Sequence, residues 1–368
     1  MKTLHRLAPV AALGAAALML ASCGSRPDAA TGSGDASSNA AGTAFNACMV
    51  LDTGGVDDRS FNQSSYAGFT AANKENPDVK ISYVPSDDSS AYEPNLTTEV
   101  GKGCDTIVAV GGLMSDAVTA VAKQNPDKKF AEIDAAPTAD NVYGFQYNTA
   151  EGGFLGGYLA AGMTKTGTVG TWGGLNIPPV TIYMDGFWEG VQYYNQQKGK
   201  SVKVLGWDEN NPKGGTFVGG DAGFTDQAAG RSITETFAAQ GADIVMPVAG
   251  QAGLGAGAAA QAAGGKLNLI WVDTDGCVSA EQYCQYFISS VTKNLTDAVK
   301  QYVLDSADGK APTGSYVGDL KNDGTGLAPF NQFDSQVPAD LKSELDKVKA
   351  DIIDGSIKIT SPSAVKAS

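Results

Sequence analysis

Histidine is nearly missing from this chain of 368 residues, which holds one, His5. With so little imidazole, a Ser-His-Asp or Cys-His catalytic arrangement and the usual His-containing zinc site lose their chemistry. Basic side chains are the second shortage. Lys and Arg number 26 against 40 Asp and Glu, a net charge of −14. A surface of that sign repels nucleic acid, whose phosphates are held by Lys and Arg, so no nucleic-acid partner is expected, and no metal or cofactor. The acidic surplus serves solubility. The third absence is a long apolar run. Residues 7–21 are apolar but interrupted by Pro9, and they fall short of the ~20 residues a comfortable membrane span needs.

What stands at the start instead is Lys2, Arg6, that short apolar stretch, and Leu20-Ala21-Ser22-Cys23. A positive start, a brief apolar core and small residues before a cut describe a secretory signal, and the cysteine at the cut resembles the lipobox of bacterial lipoproteins. The resemblance implies a signal peptide over 1–22 and a lipid on the Cys23 thiol, holding the protein on the extracytoplasmic face of the cell membrane. Cleavage would remove His5 together with Lys2 and Arg6, leaving 24 basic against 40 acidic residues, a net charge of −16. Residues 23–44 are mostly Ser, Gly, Ala, Asp and Asn. Such a composition buries too little apolar surface to offset ordering entropy and reads as a flexible leash. The folded part starts at Phe45. Its roughly 310 residues exceed what one hydrophobic core usually serves, so two lobes are expected.

Short β-rich runs at 46–51, 79–83, 106–110, 129–133, 167–172, 202–207, 243–248 and 268–273 alternate with helix-like stretches at 64–75, 114–124, 151–165, 180–197, 226–240 and 256–263. That rhythm predicts an α/β fold of parallel sheets with helices on both faces. Several strands end in small or acidic residues: Asp52, Gly111, Asp134, Gly173, Gly250 and Asp273. Ligands of open parallel sheets sit beyond the carboxyl ends of the strands, so these positions outline a crevice.

The segment Asp52-Thr53-Gly54-Gly55-Val56-Asp57-Asp58-Arg59-Ser60-Phe61-Asn62-Gln63 resembles the first-strand motif of the basic membrane protein family of transporter-linked binding lipoproteins, which includes the purine nucleoside receptors. Four more segments agree in order: Gly112-Leu113-Met114-Ser115-Asp116, Gly173-Gly174-Leu175-Asn176-Ile177-Pro178-Pro179 with Met184-Asp185-Gly186-Phe187, Gly241-Ala242-Asp243-Ile244-Val245, and Trp271-Val272-Asp273-Thr274-Asp275. The resemblance implies a two-lobed periplasmic-binding-protein type I fold with three crossings between lobes, expected at 146–149, 275–284 and 316–327. The N-terminal lobe would then comprise 45–148 and 276–315, the C-terminal lobe 149–275 and 316–360. The implied function is capture of a nucleoside, purine for preference, for import by an ABC permease.

A nucleoside offers a flat uncharged base and a pentose with vicinal hydroxyls. Phe61 and Asn62 supply a stacking face and an amide in adjacent positions. Phe61, on a loop without apolar periodicity, suits stacking better than core packing. By resemblance Phe224 is the facing aromatic, with Phe217 as its competitor. Asp116 starts a helix and suits capping, while the family implies an acceptor for a base-edge N–H. Asp273 would hold the pentose, with Asp275 ranked second, and Lys293 matches a pentose-contacting lysine. Asp52 and Gly250 complete the set. Carboxylates outnumbering one lysine repel phosphate, which favours a nucleoside over a nucleotide. Gly253-Leu254-Gly255-Ala256-Gly257 departs from the dinucleotide fingerprint. The loop 210–223 and the Thr274-Asp275-Gly276 sequence depart from the family beside ligand positions, which leaves flavins and sugars as alternative solutes. A carboxylate-pair glycosidase or a surface adhesin are the readings from other classes.

Four cysteines remain beside Cys23. An even number in an oxidising compartment suggests disulfides. The 2-1-3 strand order implied by the family sets strand one beside strand three, hence Cys48 beside Cys104, and leaves Cys277 with Cys284. A metal-bound thiol cluster is the alternative.

Overall fold

The computed structural model describes residues 44–365. The expected signal peptide, Cys23 and nearly all of the leash lie outside them. No helix among the described residues is long and apolar enough to cross a membrane.

The strands are β1 (Phe45–Leu51), β2 (Val79–Val84), β3 (Thr106–Val110), β4 (Lys129–Ile133), β5 (Val142–Tyr147), β6 (Thr168–Gly173), β7 (Lys203–Leu205), β8 (Ile244–Val248), β9 (Asn268–Asp273), β10 (Phe287–Lys293), β11 (Ser315–Gly318) and β12 (Thr325–Leu327). The helices are α1 (Phe61–Glu75), α2 (Tyr92–Gly101), α3 (Ser115–Gln124), α4 (Thr149–Met163), α5 (Pro178–Lys198), α6 (Gln227–Ala239), α7 (Leu254–Ala262), α8 (Gly276–Ser279), α9 (Leu295–Ala307) and α10 (Ala339–Ile353). Central strands such as β3 (TIVAV) and β8 (IVMPV) are apolar and buried along their whole length, as parallel strands covered on both faces require.

Two six-stranded sheets result, ordered β11-β5-β4-β3-β1-β2 and β12-β10-β9-β8-β6-β7. All pairings are parallel except β10 with β12. The two orders are the same word written twice, so β4 of the first half corresponds to β9 of the second, and β5 to β10. The fold class is therefore the expected α/β arrangement of two parallel-dominated sheets.

The chain leaves the first sheet at Asn148, after β5, and leaves the second at Asn294, after β10. It returns to the second between Gly318 and Thr325. The expected second crossing at 275–284 and the assignment of 276–315 to the first lobe need correction. Residues 287–293 form β10, paired with β9, and Phe287 packs on Trp271. Burial of that apolar strand keeps 276–293 in the second half. Only from Asn294 does the chain join the first, where the Thr296 hydroxyl donates to the Ser64 carbonyl oxygen on α1 at 2.9 Å.

In the second half α4 and α5 cross at backbone distance, because glycines face each other. A Cβ added to Gly157 would lie 2.0 Å from the Phe187 carbonyl oxygen, and one on Gly190 would lie 2.0 Å from that of Phe154. The C-terminal tail folds back over α5. Ser361 donates its hydroxyl to the fully buried Asp185 carboxylate at 2.6 Å, and the other Asp185 oxygen takes the Trp207 indole N–H at 2.9 Å. Both cysteine pairs are bonded, Cys48 to Cys104 and Cys277 to Cys284. The first ties β1 to the residues that lead into its neighbour β3.

Candidate functional site

A cavity of about 70 Å³ lies where the carboxyl ends of both sheets face each other. From the first half it is lined by Asp52, Asp58, Phe61, Leu113 and Asp134. The second half contributes Tyr183, Phe224, Gly250, Gln251, Asp273 and Lys293.

Local chemistry positions each group. Asp52 follows β1 and accepts from the Asn62 amide at 2.9 Å. Asp58 accepts the backbone N–H groups of Ser60, Asn62 and Gln63 at 3.0, 2.8 and 3.0 Å. That carboxylate takes up donors left over at the start of α1 and turns Phe61, the first residue of the helix, into the cavity. Phe224 lies against Gly174, where any Cβ would strike its ring, and its carbonyl accepts from the Ala252 N–H at 2.9 Å. Gly250 adopts φ +50°, which suits glycine. Asp134 and Asp273, equivalent positions at the ends of β4 and β9, adopt φ +67° and +68°, and Arg59 joins them at +62°. Non-glycine residues rarely take this conformation, and they gather at binding and active sites.

Charge is concentrated here. Lys293, buried, places its Nζ 2.8 Å from both Asp134 oxygens and 4.9 Å from the centre of the Phe61 ring, with the Tyr147 and Tyr183 rings at 5.4 and 5.6 Å. Tyr183 donates its hydroxyl to Asp273 Oδ1 at 2.7 Å, and Ser60 donates across the two halves to Asp273 Oδ2. Burial pushes the Asp52 carboxyl well above the aspartate range, the Asn62 hydrogen bond counteracting it and Asp58, Asp134 and Asp273 reinforcing it. Burial lifts Asp58 to about 6 against its three backbone donors. Asp134 is raised by burial and drawn back by Lys293. Burial and the neighbouring Asp273 keep Tyr183 protonated far above its ordinary range.

Of the candidates named from the sequence, Asp52, Phe61, Phe224, Gly250, Asp273 and Lys293 line this cavity. Phe61 does so from a helix start rather than from a loop. Asn62 is buried and reaches the cavity only through Asp52. Asp116 does not join them. It sits in the first turn of α3 and lines an open groove with Ser89, Tyr92 and Glu93, because the helix turns that face away from the sheet end. Asp275 accepts from the Cys277 N–H at 2.9 Å and from the Asn331 amide, away from the cavity. Phe217 packs against Trp207. Sequence reasoning missed Tyr183, Asp58, Leu113 and Gln251 as lining residues, and it named Asp134 only as a strand end. Tyr183 sits mid-helix with no distinguishing pattern. Asp58 was legible as a carboxylate three residues before Phe61, at a helix start.

Two halves of like strand order, with a polar and aromatic cavity between them and the chain passing back and forth beside it, define a hinged solute-binding protein. The chain belongs to the Bmp family: the family model described as "ABC transporter substrate-binding protein PnrA-like" matches residues 45–361. A relative is the CD4+ T-cell-stimulating antigen of Listeria innocua, 30% identical over 94% of this chain and 95% of that one. The ABC transporter nucleoside-binding protein BmpA of Lactococcus lactis is 29% identical over 87% and 90%, and basic membrane protein A of Borreliella burgdorferi 30% over 85% and 87%. Among solved structures, an ABC transporter solute-binding protein of Aeropyrum pernix superposes with a TM-score of 0.76 at 27% identity, covering 86% of this chain and 94% of that one. The protein is thus an ABC transporter substrate-binding protein, working on the extracytoplasmic side with a small-molecule solute and a membrane permease as partners.

Proposed function

We propose that the solute is a nucleoside, a purine nucleoside before others, delivered to an ABC permease by a protein anchored through lipid on Cys23. The observation that carries this reading is the pair Phe61 and Phe224, from opposite halves, lining one cavity whose remaining wall is carboxylate, tyrosine and lysine. Flat rings present stacking faces to a base, and a buried carboxylate at Asp273 suits pentose hydroxyls. The nucleoside-binding relative agrees with it. Asp52, whose carboxyl burial pushes up, stands in the same wall as Phe61 as a hydrogen-bonding group for the edge of a purine. A cavity of about 70 Å³ is small beside the roughly 300–1,000 Å³ of sites for drug-sized ligands. Loading therefore requires the halves to part and close again on the solute, closure being favoured by contacts to both at once.

Calorimetry with guanosine, inosine, adenosine, cytidine, riboflavin and ribose tests the reading, alongside native mass spectrometry of gently purified protein. Heat with the purine nucleosides and none with ribose or riboflavin is the expected result. Binding of riboflavin or ribose alone would overturn it.

A further inference from the structure

Leu113 lines the cavity between the sheets and is at the same time 37% exposed. A residue with an inner void on one side and solvent on the other is a wall one side chain thick. Outside that wall lies a groove of about 740 Å³, which Leu113 lines together with Tyr92, Glu93, Pro94 and Asp116. The local sequence puts Leu113 there. Gly112–Met114 form a single 3-10 turn between β3 and α3. Met114 is fully buried, and its N–H donates to the Gly111 carbonyl at 3.0 Å. A Cβ on Gly111 would strike the Asp52 carboxylate, and one on Gly112 the Asp134 carbonyl oxygen. The turn is therefore pressed onto two acidic strand ends of the cavity, and Leu113 is the side chain left to fill the gap. Tyr92, almost wholly buried at the start of α2, continues the wall. Burial lifts its hydroxyl to about 12, Asp52 adding to the rise and a hydrogen bond from the Thr53 backbone opposing it. Asp52 and Thr53 are themselves cavity residues, so Tyr92 too has the groove on one side and the cavity wall on the other.

We propose that Leu113 is the specificity-determining partition between the solute cavity and this groove, and that its bulk limits what the base of a bound nucleoside can carry. The base end is the end concerned, because the turn bearing Leu113 lies against Asp52, the group assigned to the purine edge. With leucine in place, a purine substituted on its exocyclic nitrogen meets the wall and is rejected. With a small residue in its place, the substituent passes into the groove. Tyr92, Pro94 and the stem of the wall offer it apolar surface, while Glu93 and Asp116 disfavour an anion. A neutral ring such as benzyl is the class that fits. This inference rests on the nucleoside reading.

Calorimetry with adenosine, N6-benzyladenosine, guanosine and N2-benzylguanosine tests it on wild type and three variants. The quantity read is the ratio of dissociation constants, benzylated over parent, which is insensitive to any general loss of affinity. In wild type the ratio should be large, and in Leu113→Ala it should fall by roughly tenfold or more for at least one of the two pairs, the worth of a few methylenes in an apolar wall. Leu113→Met, which keeps the wall, should retain the wild-type ratio. Val180→Ala enlarges the same cavity from the buried side of α5, away from the groove, and should retain it as well. Wild type binding the benzylated compounds as tightly as their parents would overturn the partition. So would unchanged ratios in Leu113→Ala, or an equal fall in Val180→Ala, which would make cavity size alone the cause. If wild type binds neither adenosine nor guanosine, the nucleoside reading falls and this inference falls with it. Binding of the parents with the ratios unmoved counts against Leu113 alone.

Discussion

Glu132 lies on β4, two residues before Asp134, fully buried. One of its oxygens takes the Ser115 hydroxyl and the other has no partner. Burial lifts its carboxyl from the ordinary 4.5 to about 7, with the Ser115 bond opposing and Asp134 and Asp116 assisting. Because the folded value lies above the unfolded one, the folded state holds the proton more tightly. The stability this gives is complete below about 4.5 and is lost as pH rises through about 7. At ~1.4 kcal/mol per pH unit the loss is ~3 kcal/mol. Glu132→Gln keeps the neutral form at every pH, so its urea midpoint should change less than that of wild type between about pH 5 and pH 8. At the cavity, Phe61→Ala removes one stacking face, worth ~1–3 kcal/mol per base in nucleic-acid binders. Guanosine binding measured by calorimetry should weaken by roughly one to two orders of magnitude; unchanged affinity would remove Phe61 from the site.

Among elements, the α4–α5 pair sets the strictest steric demand. Gly157→Ala forces a methyl into the Phe187 carbonyl, and overpacking against backbone should cost about 3 kcal/mol, visible as a lowered denaturation midpoint. Gly101, at the end of α2, has nothing within contact range of an added methyl and no left-handed φ. Gly101→Ala should therefore be neutral or stabilising by up to ~1 kcal/mol. Element by element, the buried parallel strands were legible because their apolar runs are continuous and end in Gly or Asp. β5, β11 and β12 were missed. β5 interrupts its apolar pattern with Gly144 and Gln146, and the other two span four and three residues, too short for any periodicity. β10 was missed for another reason. Ser289, Ser290 and Thr292 make FISSVTK look like a loop, yet these small polar groups are satisfied inside the sheet, Ser289 donating to the Ala328 carbonyl and Ser290 accepting from the Gly276 N–H. That misreading displaced the second crossing.

At the scale of the molecule, the repeated strand order brings Asp134 and Asp273 to matching places, and each is answered differently: Asp134 by Lys293, Asp273 by Tyr183 and Ser60. The aromatic and acidic strand-end residues were legible because strand ends are where α/β sheets bind. The partners of Asp134 and Asp273 come from 90 to 213 residues away, where no spacing rule reaches. The disulfides act at this scale too. Opening Cys48–Cys104, 56 residues apart in sequence, releases a loop whose closure is worth ~4 kcal/mol in the chain-entropy model. For Cys277–Cys284, separated by 7, the same model gives ~2.5 kcal/mol. Paired Cys→Ala variants should show that order in denaturant midpoints.

The tail that folds back over α5 bears on how the protein can be handled. Ser361 and Trp207 share one buried carboxylate, so a chain shortened just beyond α10 would strip Asp185 of half its neutralising shell. A tag inserted directly after Ser361 accordingly loads a clasp. The indole emission of Trp207 would report whether the clasp is still shut.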